Sequence, residues 1–151
     1  MKGVKIERAM PSNNIDIYPL YLEFIKESGN KPYPVINPQI QRKFFQDVLI
    51  RGFSDPNQIF LTARRGKSYW GFAHAAILPR PPVGYILYIH TLFVQKHKRK
   101  LGIAKDLADA LESEARNLGL GAIELMCTPA LTLKWEKHGA KKIYDYLVKE
   151  L

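Results

Sequence analysis

The sequence predicts an α/β fold: one domain over residues 1–151, with a mixed β-sheet of about six to seven strands flanked by about four helices. Residues 85–94 are apolar on both faces, as expected for an inner strand covered on both sides. Residues 105–118 carry apolar side chains at helical spacing, which indicates an amphipathic helix. The full order is strand, two helices, three strands, helix, strand, helix and strand.

The N-terminal part supplies one strand and two helices. Residues 4–8 alternate between apolar and polar, which predicts the first strand. Apolar residues at helical spacing predict a helix from about residue 16 to Gly29 and another from residue 38 to Gly52. Because proline lacks an N–H group, we expect Pro19 in the opening turn of the first helix.

The C-terminal part is richer in strands. Two strands, 59–64 and 68–78, are predicted to form a hairpin through residues 65–67. The later segments are a strand at 122–127, a short helix at 128–139 and a terminal strand at 142–148. Cys127 is the single cysteine, so no internal disulfide can form, and we expect a buried structural thiol.

Composition narrows the class of protein. The net charge of +9 favours anionic partners such as nucleotides or nucleic acid. No run reaches the roughly 18 apolar residues of a membrane helix. The N-terminus lacks the apolar centre of a signal peptide, so a cytoplasmic location is expected. No histidine, cysteine and carboxylate spacing predicts a metal site.

A basic segment, residues 95–104, joins the apolar strand to the long helix. The first N–H groups of a helix have no partner within it, and the helix dipole adds positive charge there. Gly102 lets an anion approach the backbone closely, and Lys98, Arg99 and Lys100 add full charges. This arrangement predicts a phosphate-binding loop. The alternatives are a nuclear-localisation or nucleic-acid patch, or a merely solvated basic cluster.

The pattern Arg99-x-x-Gly102-x-Ala104 resembles the R/Q-x-x-G-x-G/A loop of the GNAT superfamily of acetyl-CoA-dependent N-acetyltransferases. The predicted order of elements is also that of the GNAT fold. Residues 128–140 are similar to a later N-x-x-A-x-x-L-Y-E-K-x-G-F segment of the family. The resemblance implies a GNAT-like fold, acetyl-CoA as co-substrate and a primary amine as acceptor.

The resemblance also implies where acetyl-CoA binds. Backbone groups of one loop would bind the pyrophosphate: Arg99, Lys100, Leu101, Gly102, Ile103 and Ala104. The strand end Leu92, Phe93 and Val94 would pair with the pantetheine arm, and an N–H near Leu92 or Phe93 would face the thioester oxygen. Thr128, which replaces the family's asparagine, would also contact the cofactor.

His90 is the candidate general base, since an ordinary histidine can accept a proton at neutral pH. Its alternative is a hydrogen-bonded core histidine. Tyr88 lies two residues earlier on the same strand face and is a candidate acceptor-binding residue, as is Tyr33 in the loop 31–36. We expect the acceptor between that loop and residues 79–84.

The leaving thiolate raises a separate question. Trp135 stands where the family has a tyrosine, and an indole N–H can donate a hydrogen bond but cannot release a proton. Either the thiolate leaves without an acid, or another group such as Tyr144 or Tyr146 protonates it.

Three functional hypotheses follow. The first is direct acetyl transfer from acetyl-CoA to an amine on a small molecule, peptide or protein, within a ternary complex. The second is a GNAT-fold module that binds acyl-CoA or a partner without turnover. The third, based on the +9 charge, is a nucleic-acid-binding protein. The first hypothesis expects no membrane partner and no specific nucleic acid, and it leaves a homodimer open.

Overall fold

In the computed structural model, the described backbone covers residues 3–28, 37–127, 129–143 and 149, and the side chains of residues 48–53, 129 and 130 are outside the description. One mixed sheet has the strand order β1-β2-β3-β4-β5. The strands are β1 Lys5–Arg8, β2 Gln58–Arg65, β3 Ser68–Arg80, β4 Gly84–Val94 and β5 Ile123–Leu125. The helices are α1 Asn14–Ser28, α2 Pro38–Ser54, α3 Ile103–Asn117 and α4 Pro129–Lys137.

The predicted α/β class with a mixed sheet is confirmed. The neighbouring pairs from β1 to β4 are antiparallel, and β4 pairs with β5 in parallel. The sheet has five strands in the described part of the chain, fewer than the six to seven predicted. The predicted terminal strand at 142–148 lies mostly outside the described residues.

Two helix predictions were wrong. Asn14 opens α1 after a 3₁₀ turn at Pro11–Asn13, so Pro19 falls inside the helix, beyond its first turn. Gly52 does not end α2, which continues to Ser54. A glycine weakens a helix by only about 1 kcal/mol, whereas Pro56 disfavours the helical conformation of the residue before it.

The two faces of the sheet bury different side chains. On one face, aliphatic residues of the strands pack against Ile103, Leu107 and Leu111 of α3. On the other face, an aromatic cluster packs beneath α1 and α2 and includes Phe45, Phe60, Phe72 and Phe93. The helices therefore cover the sheet on both sides, as the apolar strand at 85–94 predicts.

β4 is the strand that positions the site. Its register against β3 shifts between Ile89, which faces Ala75, and Thr91, which faces His74. His90 is therefore an extra residue on β4, a β-bulge. On its other side β4 pairs with β5 only from Leu87 to Ile89.

Residues 126 and 127 follow β5 outside the sheet, and Cys127 is exposed rather than buried. The strand ends at Leu125, two residues before the cysteine, so the predicted burial of this thiol was wrong. The Cys127 Sγ lies 3.3 Å from Thr132 Oγ1 in α4. Within the described ranges, no helix is long and apolar enough to cross a membrane.

Candidate active site

No described residue pairs as a strand with the C-terminal half of the β4 edge that faces β5, and we call this stretch the open edge. In the described ranges, β5 pairs with β4 at Ile89 and not beyond it. Bulges commonly end strand pairing or redirect a side chain next to active sites. The bulge at His90 therefore coincides with the point where β4 and β5 separate.

Backbone direction shows which residues face the open edge. The Gln95 N–H donates to the Trp70 carbonyl on β3, 2.8 Å away, so residue 95 faces β3. Backbone groups of an extended strand alternate in direction, so Phe93 also faces β3. Leu92 and Val94 therefore direct their N–H and C=O groups to the open edge, where an extended ligand could pair with the Leu92 groups and with the Val94 N–H.

Arg99 holds the loop that follows β4. Its Nε donates to the Val94 carbonyl at 2.9 Å, and its NH2 group pairs with the Glu27 carboxylate of α1 at 2.6 Å. The hydrogen bond from Arg99 lowers the pKa of the Glu27 carboxyl. The guanidinium also lies 5.6 Å from the centre of the Phe93 ring. The side chain of Arg99 thus fixes the loop, and the Arg99 N–H donates to the Lys96 carbonyl at 3.4 Å.

The loop turns sharply before α3. Lys100 and Gly102 have positive φ angles of 66° and 82°, in the left-handed region that glycine tolerates best. Leu101, Gly102 and Ala104 are exposed, while Ile103 is buried against the sheet. The Gly102 carbonyl accepts the first bond of α3 from Asp106 N–H at 3.0 Å. The next N–H groups lie in the first turn of a helix, the geometry that binds phosphate.

His90 belongs to a group of stacked rings. Its imidazole lies 4.8 Å from that of His74, with 17° between the planes, and 4.8 Å from the edge-on ring of Tyr88. The proximity of Tyr88 and His90 agrees with the strand alternation used for the prediction. His74 is buried, whereas His90 is exposed.

Both imidazoles are held in the neutral form near pH 7. Burial, reinforced by the charge of His90, lowers the pKa of His74 to about 4. Although His90 reaches solvent, the surrounding protein removes part of the water from its imidazole and lowers its pKa from the ordinary value. The His74 Nε2 lies 2.8 Å from Gln58 Oε1, and because that oxygen is an acceptor, Nε2 carries the hydrogen in this orientation of the amide.

A pocket of about 330 Å³ opens beside His90 on the face covered by α1 and α2. Its polar lining residues are Gln58, His74, His90 and Thr91. Its aromatic lining residues are Tyr21, Phe44, Phe45, Phe60 and Phe72. We predicted that residues 79–84 border the acceptor, but none of them is among the described residues that line this pocket. They lie at the far end of the β3–β4 hairpin, where Arg80 pairs with Gly84.

The remaining predicted site residues are distributed differently. Trp135 is half-buried and packs against the core on the α3 side of the sheet, whereas the pocket beside His90 lies on the other side. Leu92 and Val94 join that same α3-side core, while Phe93 joins the aromatic cluster. Three further residues, Tyr33, Thr128 and Tyr144, lie outside the described part of the chain, as does Tyr146.

Sequence reasoning missed His74 and Gln58. Register brings His74 beside His90, because Thr91 pairs with His74 across β3 and β4. Gln58 contacts His74 and lies two residues before Phe60, which pairs with His74 across β2 and β3. A polar histidine in an otherwise apolar strand was the available signal.

The comparisons with known proteins agree with this architecture. The chain aligns over 97% of its length with 96% of a predicted acetyltransferase with acetyl-CoA from Clostridium acetobutylicum, with 17% identity and a TM-score of 0.81. Glucosamine-6-phosphate N-acetyltransferase from Arabidopsis thaliana gives 13% identity, 97% coverage of both chains and a TM-score of 0.78. An aminoglycoside acetyltransferase from an uncultured soil metagenomic sample, in complex with sisomicin, gives 16% identity, coverage of 99% and 97%, and a TM-score of 0.74.

A comparison with curated protein sequences finds no match. The family model described as the acetyltransferase (GNAT) family matches residues 17–134, which span α1 to α4 and include β4, the basic loop and α3. The chain therefore belongs to the GNAT acetyltransferase family.

Proposed function

We propose that this protein is an N-acetyltransferase that moves an acetyl group from acetyl-CoA directly to a primary amine. The observation that carries the proposal is the C-terminal half of β4. Its open edge begins at the His90 bulge and leads at Val94 into the basic loop before α3. One strand and the loop after it can therefore bind phosphate, pair with the extended pantetheine arm and accept a proton.

The cofactor would bind along this strand. The loop from Arg99 to Ala104 would hold the pyrophosphate with backbone N–H groups and the N-terminus of α3. The pantetheine arm would pair with the open edge at Leu92 and Val94. Of the two candidate N–H groups for the thioester oxygen, Leu92 faces this edge and Phe93 faces β3, so we assign that role to Leu92. Thr128 remains a predicted cofactor contact.

The chemical step would take place beside His90. The amine nitrogen attacks the thioester carbonyl carbon, the new N–C bond forms, and the C–S bond then breaks. His90 accepts the proton that the amine nitrogen loses, which a neutral imidazole can do. The sulfur leaves as a thiolate, with Tyr144 as the predicted proton donor, since the indole of Trp135 cannot supply a proton. Tyr88 and Tyr33 are the predicted acceptor contacts.

The comparisons support this proposal at the level of reaction class. The structural neighbours named above are acetyltransferases, one is described with acetyl-CoA, and one is an N-acetyltransferase of an amino sugar phosphate. The organisation as one domain over residues 1–151, the cytoplasmic location and a homodimer remain predictions.

Release of free CoA thiol tests the proposal. The purified chain is incubated with acetyl-CoA and a panel of primary amines, and each acetylated amine is identified by its mass. We expect amine-dependent thiol release that His90→Ala reduces strongly. Binding of acetyl-CoA with no product from any amine would contradict the transferase and favour a binding module. Absence of acetyl-CoA binding would contradict the whole assignment.

A further inference from the structure

The floor of the pocket is a continuous row of rings that crosses three strands. Phe72 and Phe60 stack with centres 5.5 Å apart and planes only 6° apart. Phe60 stacks in turn on His74 at 5.9 Å, and His74 stacks on His90 at 4.8 Å. A continuous row of stacked rings therefore leads from the apolar end of the pocket to the candidate base.

The wall of the pocket is also aromatic. Tyr21 packs on Phe45 with ring centres 4.5 Å apart and lies 6.1 Å from Phe72. Phe44 lines the pocket from α2, yet 56% of its surface is exposed to solvent. Phe45 beside it is buried, so of these two α2 side chains Phe44 is the one that a ligand in the pocket could cover.

The described lining of this pocket lacks the negative charges that would bind a polycation. The described lining contains no carboxylate, ammonium or guanidinium group. Burial raises the pKa of the Tyr21 phenol, which therefore stays neutral. The chain as a whole carries a net charge of +9, which repels multiply charged cations. The described lining therefore has no carboxylate that could pair with a second ammonium group on a ligand.

Size sets a further limit. A volume of about 330 Å³ lies at the small end of ligand pockets, which range from roughly 300 to 1,000 Å³. Aromatic rings favour offset-stacked or edge-to-face contacts with other rings. One small ring-bearing molecule fits both the volume and the chemistry of the walls.

We infer that the acceptor is a small aromatic amine without a second charge, whose ring contacts Phe44 while its amino group lies toward His90. This inference rests on the proposed function, because it names the substrate class of the same site. Phe44 then determines specificity and does not take part in the acetyl transfer itself.

Three amines separate the contributions of ring, apolar surface and charge. The amines are 2-phenylethylamine, its saturated analogue 2-cyclohexylethylamine, and spermidine. Binding of each to the CoA-saturated protein is measured by calorimetry, and kcat/KM is measured with acetyl-CoA. We expect 2-phenylethylamine to exceed spermidine by about tenfold or more in both measurements, with 2-cyclohexylethylamine between them.

The matched variants are Phe44→Ala and Ile40→Ala. Both residues are exposed apolar side chains of α2, at 56% and 63%, but only Phe44 lines the pocket. Phe44→Ala should weaken 2-phenylethylamine binding by about tenfold and raise its KM with little change in kcat. Ile40→Ala should leave both quantities unchanged, and the urea midpoints of the two variants check that each is folded.

The outcomes separate this inference from the proposed function. Faster acetylation of spermidine than of 2-phenylethylamine overturns the aromatic acceptor and leaves the transferase intact. If no amine is acetylated, the calorimetric titrations test the aromatic pocket without relying on the reaction. Phe44-dependent binding of 2-phenylethylamine then supports the aromatic pocket although the transferase fails, and equal binding by the Phe44→Ala variant overturns it.

Discussion

The two ends of the open half of β4 are built in different ways. At Val94 the strand leads into the basic segment 95–104, whose proposed phosphate-binding groups are backbone groups of consecutive residues, Arg99 to Ala104. At His90 the strand borders a pocket whose side chains come from α1, α2, β2, β3 and β4. The residues at the Val94 end are consecutive in the sequence, whereas those at the His90 end come from distant parts of the chain that strand pairing brings together.

This difference has consequences for mutation and for specificity. A backbone site tolerates most side-chain changes and depends on loop conformation, so one glycine can control it. A side-chain site can change its ligand by single substitutions without altering the fold. We therefore expect the loop end to serve a constant ligand and the pocket end to set which amine is used.

The largest expected effect tests the pocket end. His90→Ala should lower turnover by about 10²–10⁴ while acetyl-CoA still binds, the usual contribution of general acid–base catalysis. The loss should shrink at high pH, where the amine loses its proton without help. His138→Ala is the control, because His138 is an exposed residue beyond the end of α4. Unaltered kinetics of His90→Ala across pH would remove the base assignment.

The pH profile of the unmodified protein sharpens the same assignment. His90 must be neutral to accept a proton, and partial burial lowers its pKa from 6.5. The acid limb of kcat/KM should therefore contain an inflection below pH 6.5, and the His90→Ala variant should lack that inflection while its rate still rises at higher pH as the amine deprotonates. An inflection below pH 6.5 that the variant retains would indicate a different titrating group.

The next effect tests the loop end. At 100 times its dissociation constant, acetyl-CoA should stabilise the protein by about 2.7 kcal/mol, and Gly102→Asp should abolish that stabilisation. Gly119→Asp is the matched control at the other end of α3. Gly119 also has a positive φ, 70° against 82°, and at both positions the space for a Cβ is open. Equal acetyl-CoA responses from the two variants would mean that the loop has been misassigned.

A third effect, of similar size, concerns His74, the buried neighbour of His90. The pKa of His74 is about 4 in the fold against 6.5 for an ordinary histidine, so between these values the unfolded chain binds more protons. The free energy of unfolding should fall as pH drops from 6.5 to 4, by about 3 kcal/mol from this group.

Urea denaturation across that range measures the effect. His74→Phe, which keeps a ring against Phe60, should lose less stability on acidification than the unmodified chain, by the amount assigned to His74. His97→Ala changes an exposed histidine of the basic loop and should lose as much as the unmodified chain. Parallel pH curves for all three proteins would contradict the burial of a neutral imidazole.

The smallest effect concerns Trp135. If the indole supplies no proton, Trp135→Tyr should preserve the rate or raise it. Trp135→Phe should then reduce stability by about 1–2 kcal/mol through its contacts with the α3-side core, with little loss of turnover. A Trp135→Phe protein that folds, binds acetyl-CoA and has no activity would give the indole an essential role.

The same contrast explains how much of the molecule the sequence could predict. The loop from Arg99 to Ala104, the strand before it and the helix after it are contiguous, so their local patterns predicted the order of elements. The partnership of His74 and Gln58 with His90 depends on the register of three strands and on a bulge, neither of which leaves a local signature. The end of α2 was misplaced because Gly52 is a weaker stop than Pro56.

A crystal structure with acetyl-CoA tests the central claim most directly, because it locates both ends of the cofactor on β4. We expect the pyrophosphate within hydrogen-bond distance of the backbone N–H groups of residues 102–104. We also expect the pantetheine paired with Leu92 and Val94 and the thioester beside His90. A cofactor that binds elsewhere, or a thioester on the side of the sheet away from His90, would contradict the account.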